Sequence, residues 1–105
     1  MNIEEVREYC ISLPDASESF PFNDTALVFK VGKIFAILDL SEDERGISLK
    51  CDPEYALELR EHHSGITPAW HLNKQHWNAI DLKGSVPPDL IRELIDHSYN
   101  LVKPR

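Results

Sequence analysis

Residues 27–40 read Leu-Val-Phe-Lys-Val-Gly-Lys-Ile-Phe-Ala-Ile-Leu-Asp-Leu, two apolar runs parted only by Gly32 and Lys33. Each run is too short for a stable helix and rich in β-branched and aromatic side chains. The pattern predicts strands at Leu27–Val31 and Ile34–Leu40 joined by a two-residue hairpin. Upstream, Asn23 and Asp24 mark a turn, and Ser17–Phe22 reads as a short edge strand interrupted by Pro21. Asn2 followed by Glu5 forms a capping-box signature for a helix that buries Ile3, Val6, Cys10 and Leu13 and ends at Pro14. Downstream, the acidic run Ser41 to Gly46 is a solvated turn, and Ile47–Lys50 alternates as a third strand of a meander. Asp52 and Pro53 open a second helix presenting Tyr55, Ala56, Leu59 and His62 or His63, with Gly65 expected to close it. A short strand near Ile66 and another at Trp77–Leu82 follow. Pro87 and Pro88 then open a last helix whose Leu90, Ile91, Leu94, Ile95, Ser98, Leu101 and Val102 form a buried stripe.

A chain of 105 residues, 42% hydrophobic with nine aromatics, supplies one core and lacks the length for two. The element order predicts a single α+β domain over residues 1–105, an antiparallel sheet with helices on one face and the other face open for binding. Cys10 and Cys51 stand far apart, no leader-like apolar run precedes Cys10, and a reducing, cytoplasmic setting is expected. Apolar runs such as Ile34–Leu38 are far below the ~20 residues that span a bilayer, so no membrane contact is expected.

Charge restricts the functional classes. Eighteen acidic residues against eleven basic ones give a formal charge of -7. A phosphate backbone repels such a chain unless its cations segregate. They do so along the sequence. The acid-free stretch from His62 to Ile80 contains Ala69–Asn78, reading Ala-Trp-His-Leu-Asn-Lys-Gln-His-Trp-Asn. As ordinary structure, Trp70 and Trp77 would be packing residues, while His71, Asn73 and His76 would satisfy loop carbonyls. As function, the segment is a neutral-to-positive recognition loop. A second basic set, Lys30, Lys33 and Lys50, lies on predicted strands and the hairpin tip. These lysines either guard sheet edges or grip phosphates.

Catalytic patterns are weak. His62, His63, His71, His76 and Cys51 match no zinc-ligand spacing, and Cys51 has no oxyanion signature beside it, although a helix start at Asp52 could depress its pKa. Four glycines build no phosphate cradle. A non-enzymatic binding module without cofactor or metal is expected.

The stretches Leu13-Pro14-Asp15-Ala16, Phe20-Pro21-Phe22, Val28 to Ala36, Ser48-Leu49-Lys50-Cys51-Asp52-Pro53, His71 to Trp77 and Asp96-His97-Ser98-Tyr99 resemble, in order, the small bacterial MmcQ/YjbR proteins. The resemblance implies an antiparallel sheet with helices in a double-wing arrangement associated with DNA binding, and no enzymatic activity or cofactor. It draws attention to Lys50 and Lys74 as phosphate contacts, to Asn73 and His76 as hydrogen-bond donors, and to Trp77 as a packing or base-stacking residue. With Lys30, Lys33 and His71 these make a contact set for weak, salt-sensitive, largely sequence-independent DNA binding. The alternative is a protein or small-ligand interaction domain using the loop Trp70 to Trp77 and the open sheet face. A monomer is expected.

Overall fold

The computed structural model describes residues 1–42, 46–69 and 72–104. The middle of the predicted acidic turn, Asp43, Glu44 and Arg45, lies outside the described residues, as do Trp70 and His71.

Local chemistry sets the elements. Helix α1 (Ile3–Ser12) carries the predicted capping box, with the Glu5 amide donating to Asn2 Oδ1 and the Asn2 amide donating to Glu5 Oε1. Each bond satisfies an amide with no partner inside the helix. Strand β1 (Ser17–Ser19) stops short of the predicted Phe22, and Phe20 and Phe22 are exposed beyond it. Strands β2 (Ala26–Val31) and β3 (Lys33–Asp39) pair antiparallel, leaving only Gly32 between them. Lys33 is therefore not a turn residue but the first rung of β3, opposite Val31.

Gly32 makes this one-residue turn at φ +81°, in the region L side chains avoid, and an added Cβ would stand 3.1 Å from Pro104 Cγ. Gly32→Ala should cost about 1–2 kcal/mol from the left-handed backbone alone, read as a lower urea midpoint at unchanged slope.

Strand β4 (Gly46–Lys50) completes the meander, and helix α2 (Pro53–His62) follows with Asp52 as its cap. The helix ends at His63, whose extended backbone donates to Leu59 O, so Gly65 does not close it. Gly65 is small because Ser85 and Val86 press on it; a Cβ there would meet Ser85 Oγ at 2.2 Å. Strands β5 (Ile66–Pro68) and β6 (Trp77–Asp81) form a second hairpin, and helix α3 (Pro88–Val102) closes the fold.

The sheet order is β1-β2-β3-β4-β6-β5, all antiparallel. Strand β6 inserts beside β4 and pushes β5 to the edge. Leu27, Phe29, Ala36, Leu38, Ile47, Leu49 and Ile80 point to one face, where α3 crosses β3 and β4 and all three helices contribute to the core. From α3, Ile91, Leu94, Ile95 and Ser98 are buried, but Leu101 is 46% exposed, so the apolar stripe does not bury its C-terminal end. The α+β fold with helices on one side of an antiparallel sheet is thus present.

One irregularity matters. Between Lys30 opposite Ile34 and Phe29 opposite Ala36, β3 holds one extra residue, Phe35. This bulge turns the Phe35 ring into the core, 5.5 Å edge-on from Tyr99 of α3. Beside it the buried Ser98 hydroxyl enters the ladder, donating to Phe35 O at 2.5 Å and accepting from the Lys50 amide at 2.9 Å.

Candidate nucleic-acid interface

Strand parity places the face away from the helices. Lys30 opposite Ile34, and Lys50 opposite Trp77, lie at one end of that face. Four residues along the same strands, Asp39 and Asp81 lie at the other end, each next to Gly46 in register or pairing. Four strand residues span ~13 Å, longer than the ~8 Å Debye length at physiological ionic strength. Between the two ends runs a row without charge: Ser19, Val28, Ile37, Ser48, Ala79 and Thr67. The face is polarised.

The two hairpins sharpen this polarity. The β2–β3 tip at Gly32 and the turn that leads into β6, residues 72–76, both emerge at the lysine end, on either side of β4. Lys33 belongs to the first projection and Lys74 to the second. With three strand spacings between hairpin centres, the projections stand ~14 Å apart. None of Lys30, Lys33 and Lys50 has an ion-pair partner among the described residues. The carboxylate nearest to Lys50 in sequence, Asp52, is engaged in capping the Tyr55 amide.

The second projection is braced from inside. Asn73 O accepts from the amides of His76 (3.1 Å) and Trp77 (2.9 Å), and Asn73 Oδ1 accepts from the Gln75 amide at 3.0 Å. The His76 carbonyl in turn accepts from the Cys51 amide at 2.7 Å, tying the turn to the end of β4. From α2, Arg60 donates through Nε to Asn78 Oδ1 at 2.6 Å and through Nη2 to the carbonyls of Lys74 and Trp77. Asn78, 2% exposed, completes the brace by donating to Ala56 O.

Of the sequence-predicted contacts, Lys30, Lys33, Lys50, Lys74, His76 and Trp77 gather at one end of the sheet. Asn73 is exposed there too, with its side-chain oxygen engaged by the turn. His71 lies outside the described residues. Trp77 is half-buried beside Lys50. Arg60 escaped sequence reading because nothing in its helix marks it. The signal was across the chain: Asn78, on the inward parity of a strand, demands a buried partner.

Cys51 does not behave as a nucleophile's position would. Burial foremost, and the Asp52 carboxylate next, push its thiol up to about 11, opposite to the depression expected of a helix start. Burial likewise carries Cys10 up to about 12. His97 accepts the Asp52 amide through Nε2 at 3.2 Å and meets the Tyr55 ring edge-on, a structural use. No group of three or more metal-ligating side chains occurs among the described residues, and no helix among them is long and apolar enough to cross a membrane.

Similar proteins share this architecture. The "uncharacterized protein YjbR" of Escherichia coli K12 is 40% identical over 100 residues, covering 94% of this chain and 85% of that protein. The "uncharacterized protein YbdF" of Escherichia coli O157:H7 is 36% identical over 103 residues, covering 94% and 82%. The crystal structure of Deinococcus radiodurans protein DR2400 superposes with a TM-score of 0.90 at 44% identity, over 96% of this chain and 78% of that one. A Pseudomonas syringae crystal structure gives 0.85 at 30% identity, over 98% and 100%. The YjbR family model matches residues 11–101, and the chain belongs to the YjbR family.

Proposed function

We propose that this protein binds nucleic acid weakly and with little sequence preference, through the lysine end of its helix-free sheet face. The supporting observation is the separation of charge on that face: Lys30 and Lys50 at one end, Asp39 and Asp81 at the other, with an uncharged row between, while Lys33 stands at the hairpin tip beside the lysine end, on the side of its partner Val31. A net charge of -7 repels a polyanion at long range. Within a Debye length, however, the phosphate meets the near end first. The two hairpin projections, ~14 Å apart, are of a size to flank a phosphate ridge beside a major groove ~12 Å wide. Trp77, between Lys50 and the second projection, offers a stacking face to an unpaired base. Neither thiol is poised for nucleophilic chemistry, and a binding role without catalysis or cofactor is the consistent reading.

Fluorescence anisotropy with a short labelled duplex and a single strand at low salt tests the proposal. Three lysine contacts predict an affinity loss of about 40-fold when monovalent salt is raised fourfold. Lys30→Glu with Lys50→Glu should abolish most of that salt dependence. No saturable binding, or binding indifferent to the double substitution, would sink the proposal.

A further inference from the structure

At the junction of the first hairpin tip, the end of β4 and the last turn of α3 lies a cleft of about 480 Å³ lined by Gly32, Lys33, Lys50, Leu101, Val102 and Pro104. We propose that it is a binding site for a small organic anion, a carboxylate carrying an aliphatic or aromatic body.

The lining divides by chemistry. Lys33, on the helix side with its partner Val31, and Lys50, at the end of β4, are the cationic members of the lining, and neither has an ion-pair partner among the described residues, in a chain whose acidic residues outnumber its basic ones eighteen to eleven. Leu101, Val102 and Pro104 supply the apolar wall, and Leu101 stays 46% exposed on a helix whose apolar stripe is buried as far as Ser98. Gly32 lines the cleft with backbone alone, and an added Cβ would press on Pro104 at 3.1 Å. The C-terminal pole of α3 adds about half a negative charge, less than the full charge of the Lys33 ammonium. Lys103 is drawn away, its Nζ 5.9 Å from the centre of the Tyr99 ring.

A free inorganic anion satisfies the lysines but not the wall, and a neutral apolar molecule satisfies the wall but not the lysines. A carboxylate with a hydrocarbon body satisfies both, in a cleft of the size that small-molecule sites occupy. The site uses Leu101 and Val102, which the nucleic-acid proposal does not, so its test contains no nucleic acid.

Amide NMR titration of the whole chain with sodium octanoate, beside octan-1-ol and octylammonium chloride, decides the matter. Octanoate should shift the amides of Gly32, Lys33, Lys50, Leu101 and Val102 along saturable curves, with neither control matching it. Leu101→Glu should weaken octanoate by about tenfold or more through lost apolar contact and added repulsion. Lys33→Ala, at an exposed position that leaves the fold intact, should weaken it by up to about fivefold. Lack of saturation, an equal response to the alcohol or the ammonium, shifts centred elsewhere, or affinity unchanged in both variants overturns the proposal.

Discussion

Ser98→Ala is expected to lower stability by about 3 kcal/mol, an outsized loss for one hydroxyl. The Ser98 side chain is fully buried and bonds two strands at once, accepting from the Lys50 amide and donating to Phe35 O. Because the bulge at Phe35 breaks the direct β3–β4 rung there, removing the hydroxyl leaves a buried donor and a buried acceptor without partners. Each such orphan costs ~1–3 kcal/mol, whereas an ordinary hydrogen bond contributes only ~1 kcal/mol net. In a domain of this size the loss corresponds to a melting point lower by about 15 °C. Urea unfolding of wild type and variant provides the measurement. A change below about 1 kcal/mol would mean that the strands close over the gap and that the hydroxyl is dispensable.

The second large effect is expected from Arg60→Met, about 2–4 kcal/mol. Methionine keeps the aliphatic length but removes every donor that reaches Asn78 Oδ1 and the carbonyls of Lys74 and Trp77. Hydrogen bonds from a charged group contribute ~1.5–3 kcal/mol, and the buried Asn78 oxygen would be orphaned as well. Arg60→Lys should recover little, because a single ammonium cannot reproduce the planar fork that serves a side chain and two carbonyls together. Hydrogen exchange adds a local readout: the amides of His76 and Trp77, held by Asn73 O, should lose protection more than those of β2. Equal loss across the molecule would contradict a brace specific to the 73–77 turn.

Most of the fold could be read from local signals. The meander, the Asn2 capping box, the Asp52-Pro53 start and the buried stripe of α3 all depend on residues within a few positions of one another. The second hairpin was harder. Its strands are short, and the insertion of β6 between β4 and β5 depends on pairing across α2, which no local pattern encodes. The end of α2 was misplaced because glycine signals both a helix stop and a close approach, and at Gly65 the approach of Ser85 and Val86 decides. At the candidate interface, the convergence of Lys30 and Lys50 was open to parity reasoning. Asn73 was read as a donor, and the turn engages its side-chain oxygen, a use of the other atom that the residue type alone does not announce. Arg60 and Ser98 were invisible as bracing residues, since their partners lie 18 and 63 positions away along the chain.

The division of the sheet face into a cationic end and an acidic end gives that face a dipole on a chain of net charge -7. The overall charge says little about what one pole touches. A polyanion would first have to rotate the protein and only then hold it. Contact would therefore select a single orientation before any base or side chain is compared.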